Sequence, residues 1–391
     1  MKKAIPNLFF LFLTAPILSP FVGGVTIYLS SVIILFDIPF ILWAVNKFDK
    51  NKIIIVVGMS VLMALACFNV ALFLKIQMLL LSVTYMFYCY EAGFFYLYQW
   101  CFINVLIALL QFTLIFIDPT LAYQIGPTNI ASVLLGKFAG PTFTNFYAIS
   151  LLPRVSGLSR EGGFFASLLG TTFFVLINDP KIKSGKKKFY ITFLIIGIII
   201  SLSKTTLILL IVPFILLFRR YLNMLQEYGV AIVYTIILII FFNHLLLTSD
   251  FFTDVANNSM VHRFSGYALT PYASLIDFVR GISIYDLMER SRKGMEAMTL
   301  EFRDSGIKEF CGLPALYLGY GVQVFALFLI FTRYLNLKGI GIALIIILTT
   351  NVSPLTCDGF VVISWFFAFY ISNNINKSAN STSLLPNVNI Q

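Results

Sequence analysis

The chain has 391 residues, of which 59% are hydrophobic and 11% charged, with a net charge of +10. Soluble domains carry about a quarter charged residues, so this composition excludes an ordinary water-facing surface and points to lipid as the main solvent. The basic excess lies mostly in short loops between apolar runs, which is how positive charge orients spanning helices, so no nucleic-acid partner is expected.

Met1-Lys2-Lys3 precedes the first apolar run. Pro16 and Pro20 interrupt that run, no small-x-small site follows it, and a second apolar segment starts almost at once. It reads as a first span entering from the cytoplasm rather than a cleaved signal. A spanning helix needs roughly 20 mostly apolar residues. Candidate spans lie near 5–22, 24–45, 52–71, 77–90, 94–117, 164–177, 190–201, 205–218, 230–247, 312–331, 340–350 and 361–372. The sequence therefore predicts an all-α polytopic membrane protein with about 12 transmembrane helices. A single membrane domain covers 1–372, and the Asn- and Ser-rich tail 373–391 is expected to be unstructured and cytoplasmic.

Charge gives the direction. With the N-terminus inside, the inner turns carry Lys47/Lys50/Lys52, Lys181/Lys183/Lys186/Lys187/Lys188, Arg219/Arg220 and Arg333/Lys338. This is the positive-inside pattern, with both termini cytoplasmic and two long outer loops at 118–163 and 248–311. In the second loop, Ser283 followed by Asp286 reads as a capping box opening a helix. Ile284, Leu287, Met288, Met295 and Met298 then form one apolar stripe at helical spacing.

The outer loops break the positive-inside rule, and that departure is informative. Arg154 and Arg160 stand just before a span, Lys204 sits in a tight turn between two apolar runs, and Arg263 and Arg280 lie in the second loop. Cations held at the outer surface suit an anionic, partly lipidic substrate. A diphosphate fits best, because the guanidinium fork matches phosphate oxygens in pairs. Ordinary ion pairing competes with this reading in the second loop, where nine acids face seven bases. Around Arg154, Arg160 and Lys204 acids are scarce: Glu161 is the only one between Asp118 and Asp179. Glu161 is either a helix-start carboxylate favoured by the macrodipole or a base and arginine-orienting group. His262, beside Arg263, is either solvated or a base near neutral pH. Asp37, inside an apolar run, is an unusual intramembrane acid. His244, near a helix end, suits the interface. Cys67, Cys89, Cys101, Cys311 and Cys357 show no CxxC spacing, and no cofactor or metal site is expected.

Three features together resemble the bacterial O-antigen polymerase (Wzy) and O-antigen ligase superfamily of surface-polysaccharide enzymes. The stretch Arg154-Val155-Ser156-Gly157-Leu158-Ser159-Arg160-Glu161 is similar to its Arg-x-x-Gly-Leu-x-x-Glu pattern. Ser201-Leu202-Ser203-Lys204-Thr205 is similar to its Ser-x-Ser-Arg/Lys-Thr turn, and a large outer loop closes at Asp304-Ser305-Gly306-Ile307. Gly162 stands where the family often has proline, and Lys204 where many members have arginine. The resemblance implies a membrane glycosyltransferase of the GT-C-like kind in the bacterial inner membrane. Its donor would be an undecaprenyl-diphosphate-linked oligosaccharide, polymerised into O-antigen or capsule at the outer face. Arg154, Arg160, Lys204, Arg263 and Arg280 would bind the diphosphate, and Arg154, Arg160, Glu161 and His262 would serve the chemistry. Partners implied are membrane lipid, a chain-length-regulator membrane protein and a flippase. The alternatives are a ligase that passes glycan to lipid A core, and a lipid-linked oligosaccharide flippase or other transporter.

Overall fold

The computed structural model describes residues 3–23, 25–142, 144, 146, 153–203, 224–252, 258–291, 310–335, 337 and 354–382. Within them the chain is predominantly α-helical. The first helix, α1 (Ala4–Thr14), stops earlier than the expected span. Prolines at 16 and 20 remove donors that a helix needs. The chain turns instead through a small antiparallel hairpin, β1 (Phe21–Val22) with β2 (Val25–Thr26), pairing Phe21 with Thr26. Gly23 takes φ +59° in its turn, a conformation open to glycine.

The second expected span is broken. Helix α2 (Leu29–Ile33) runs through a 3-10 turn to Phe36, and α3 (Ile38–Lys47) leaves at 84°. Asp37 sits at the break, where it accepts hydrogen bonds from Phe40 N at 3.3 Å and Tyr85 Oη at 2.5 Å. The unusual acid is therefore a buried helix N-cap, which is what a severed helix start requires. Helices α4 (Lys50–Ala66), α5 (Val70–Glu91) and α6 (Leu97–Ile117) follow. Among the described residues α5 and α6 are the two helices long and apolar enough to cross a membrane, or three spans if the bent pair counts as one. Shorter apolar helices include α9 (Gly162–Asn178) and α15 (Val322–Tyr334).

The exterior is apolar as well as the core. Ile54 is 67% exposed on α4 and Leu110 52% on α6. Ile240 is 65% exposed on α11 (Met224–Thr248). Rows of outward aliphatic side chains suit lipid rather than water. Helix α9 packs against α10 (Ser184–Ile200) and against α16 (Gly359–Thr382), while α6 packs against α1 and α10.

Helix ends collect into two opposed groups. At one end Lys47 pairs with Glu91 at 3.1 Å, and Asp179 accepts from Tyr90 and Tyr98 at 3.0 and 2.9 Å. Tyr370 bonds Asn178 O there. At the other end the start of α9 meets Asp358 before α16, and Gln323 reaches Ala66 O.

The long loops are built. Residues 118–163 contain α7 (Pro119–Gln124) and α8 (Pro127–Leu135). Residues 248–311 contain α12 (Asn258–Leu269), α13 (Leu275–Arg280) and α14 (Ile284–Ser291). At the start of α14, Ser283 Oγ accepts from Asp286 N at 3.2 Å and donates to its carboxylate at 2.8 Å. Ile284, Leu287 and Met288 are buried as the stripe predicts; Met295 and Met298 lie outside the described residues. A second capping box, Ser274 with Asp277, opens α13. At the C-terminus one expectation fails. Helix α16 continues past Asn373 to Thr382, because an established helix propagates at little cost into polar sequence. Residues 383–391 lie outside the described set.

Candidate functional site

The site begins with two polar side chains on α6. Gln111 Nε2 donates to Gly157 O at 3.0 Å, and its Oε1 accepts from Gly157 N at 2.9 Å. One turn-pair earlier, Asn104 Oδ1 accepts from Leu158 N at 2.7 Å, and Asn104 Nδ2 donates to Thr14 O at 2.9 Å. The two sides of each amide are thus used on the backbone of one loop or its neighbour. Gly157 takes φ +54°, and a Cβ there would strike the Asn104 carboxamide. Only glycine lets the loop lie this close to α6.

That loop carries Arg154, Arg160 and Glu161 to the start of α9. Val155 N reaches Ile200 O at 3.4 Å, which joins the loop to the turn at Ser201–Ser203. Leu202 in that turn has φ +42°, a strained conformation for a residue with a branched side chain.

Gly162 and Gly163 make the bed for two guanidinium groups. A Cβ at Gly162 would stand 2.6 Å from Arg154 Nε and 3.1 Å from Ser201 O. A Cβ at Gly163 would overlap Arg263 Nη2 and stand 3.0 Å from Glu161 Oε1. The glycine at 162 is thus required by what crosses it. Arg263 comes from α12, about a hundred residues further along, and donates to Glu161 Oε1 at 3.3 Å. The pair is well shielded, with side-chain exposures of 5% and 14%. Burial pulls the Arg263 guanidinium below the usual arginine range; Glu161 opposes this and nearby Arg154 adds to it. Arg154 Nε is buried and has no hydrogen-bond partner among the described residues. Two cations and one carboxylate therefore meet at one point, with a buried donor left unused.

Arg160 faces elsewhere. Its Nη2 donates to Thr26 Oγ1 at 3.0 Å, and Nη1 lies 3.9 Å from Asp358 Oδ1. Tyr28 stands beside both charges. Burial works against the Arg160 cation, but Asp358 and Tyr28 outweigh it, so its pKa lies above the usual value. Arg160 binds the loop to the hairpin and to the start of α16.

The other expected residues divide. His262 lies on α12 next to Arg263, its side chain outside the described set, and Lys204 lies outside it too, one residue beyond buried Ser203. Arg280 is not at the cluster. It borders a separate cavity of about 490 Å³ with Asp277, Asp286, Arg290 and Phe310. Phe310 also packs on Gly266 of α12, so the cavity adjoins the back of the helix that presents Arg263.

Sequence reasoning passed over Asp358, Asn104 and Gln111. A signal existed for each: a lone acid before Gly359, and two amides seven residues apart in the middle of a mainly apolar helix. No family model, curated protein or solved structure matches this chain.

Proposed function

We propose that the chain is a polysaccharide polymerase of the bacterial inner membrane that joins undecaprenyl-diphosphate-linked repeat units at the outer face. One observation carries the reading: Arg263 arrives from a distant helix at the loop that carries Arg154 and Glu161, and a buried Arg154 donor remains without a partner among the described residues. A buried unsatisfied arginine nitrogen is costly, and an incoming phosphate oxygen removes that cost.

The reading assigns roles as follows. An acceptor hydroxyl attacks the anomeric carbon of the donor glycan, and the bond from that carbon to the lipid diphosphate breaks. The departing diphosphate gains negative charge, which Arg154 and Lys204 stabilise. The hydroxyl proton passes to Glu161, which Arg263 orients, or to His262. Arg160 acts at one remove, positioning the loop through Thr26 and Asp358. With about twelve spans and both termini inside, as the charge pattern suggests, this cluster would face outward.

The test is polymerisation of a lipid-linked repeat unit by the purified protein. Arg154→Ala is expected to lower the rate by about 10²–10³-fold, the usual cost of losing one transition-state donor. Normal chain lengthening by Arg154→Ala would overturn the assignment, and normal lengthening by Arg160→Ala would remove Arg160 from any role. A surface-glycan gel from a deletion strain separates the alternatives. Single repeat units on the core indicate a polymerase, no attached glycan a ligase, and loss of outward-facing repeat units a transporter.

A further inference from the structure

At the opposite end of the helices, α6 and α10 frame a second cavity of about 350 Å³. Its wall includes Gln99 and Tyr98 from α6, Tyr190 from α10, and Lys181, Lys183 and Lys186 from the connection and the first turn of α10. No carboxylate lines it. The nearest acid, Asp179, is already engaged: its oxygens accept from Tyr90 and Tyr98 hydroxyls and from Lys181 N. Lys181 Nζ is engaged too, on Tyr90 O at 2.7 Å and over the Tyr90 ring. Lys187, outside the cavity, is bonded to Ile177 O and Asp179 O.

The remaining donors are unspent. Lys183 Nζ, Lys186 Nζ, the Gln99 amide and the Tyr190 hydroxyl have no side-chain partner among the described residues. Two exposed lysines, an amide and a phenol around one cavity that no carboxylate lines suit an anion. Lysines 186–188 open α10, where the macrodipole disfavours cations, so helix stability does not account for them. Positive-inside sorting accounts for charge on this side, but not for a walled cavity of unspent donors.

The surroundings say what kind of anion. On α6, Ile103, Leu106 and Leu110 follow Gln99 at steps of four, three and four residues, and all three are exposed. One face of the helix therefore runs from the polar cavity along an open aliphatic track. A free phosphate has no use for that track; an acyl chain does.

We propose that this cavity binds the phosphate headgroup of an anionic phospholipid, with an acyl chain along α6. It is a site apart from the Arg154–Glu161–Arg263 cluster and does not depend on the chemistry proposed there. The test is lipid retention by the purified full chain, measured by native mass spectrometry with phosphatidylglycerol, and with phosphatidylcholine as the neutral comparison. Retention of phosphatidylglycerol over phosphatidylcholine is expected, and Lys183→Gln with Lys186→Gln should weaken it about 30-fold, since each lysine near an anionic headgroup contributes about fivefold. Lys188→Gln, which removes one such charge outside the cavity, should leave retention unchanged. Equal loss in Lys188→Gln, or no preference for the anionic lipid, would overturn the proposal. So would displacement of the lipid by millimolar inorganic phosphate, which would assign the cavity to a free anion. Thermal unfolding of each variant guards the comparison: a double variant that melts like the parent yet keeps its lipid also overturns it.

Discussion

At the residue scale the decisive positions are small ones. Gly163 has no side chain, and Arg263 Nη2 occupies the space where one would stand. Gly163→Ala is therefore expected to push the guanidinium off Glu161. Polymerising activity should fall steeply while circular dichroism stays that of the parent. Arg263→Ala is the harsher change: it removes the buried ion-pair partner of a carboxylate that is 14% exposed. Breaking a buried pair from one side costs about 3–5 kcal/mol, so this variant should lose stability as well as activity. Asp277 gives a pH test in the second loop. Burial pushes its carboxyl upward, but hydrogen bonds from Ser274 and the Arg290 guanidinium pull harder, so its pKa lies below the usual carboxylate value. The folded pKa is lowered, so its stabilisation is present above the unfolded value of about 3.9 and is lost as pH falls through the folded one. Protection of α13 amides from hydrogen exchange should drop on acidification below about pH 4, and Asp277→Ala should remove that pH dependence.

At the element scale, α6 is the peg on which the loop hangs. Gln111→Leu frees Gly157 N and O in a buried place, at about 1–3 kcal/mol for each group left unpaired. Hydrogen exchange across Val155–Arg160 should quicken in that variant, with α6 itself unchanged. The same element shows why sequence pattern alone stopped short. The length of the apolar run found α6 with its end at Ile117 and its start within a turn, because twenty-one apolar-rich residues leave little choice. It did not find that Asn104 and Gln111 grip a loop some fifty residues away, since hydrophobicity along one helix carries no record of what lies against it. The broken second span misled for a related reason. Asp37 reads as an unusual acid inside one span, whereas the backbone starts another helix there. In the cluster, Arg154 and Glu161 were visible as charges in the wrong place, and Arg263 as one charge among many. Their meeting depends on α12 folding back onto α9, which no local pattern encodes.

At the scale of the whole molecule, the two charged ends lie at opposite poles of the helices, one around Asp179 and Lys181 and the other around Glu161 and Asp358. With Cys67 replaced by Ser to silence the partly exposed native thiol, Lys186→Cys and Ser283→Cys report each pole. In intact spheroplasts a membrane-impermeant maleimide should label Ser283→Cys and spare Lys186→Cys; inverted vesicles should reverse the result. Labelling of both from one side would overturn the proposed twelve-span layout.

At the Glu161 pole, Phe264 lies flat on Phe242, with ring centroids 4.1 Å apart and planes within 10°. Phe264 is the residue after Arg263, so α12 is clamped to α11 beside the ion pair. If α11 lies in hydrocarbon, a change in the thickness of that layer is expected to tilt it and, through the stacked rings, to alter the reach of the guanidinium to Glu161, a contact of 3.3 Å. Polymerisation in vesicles of graded acyl-chain length checks this, and a rate blind to thickness would rule it out.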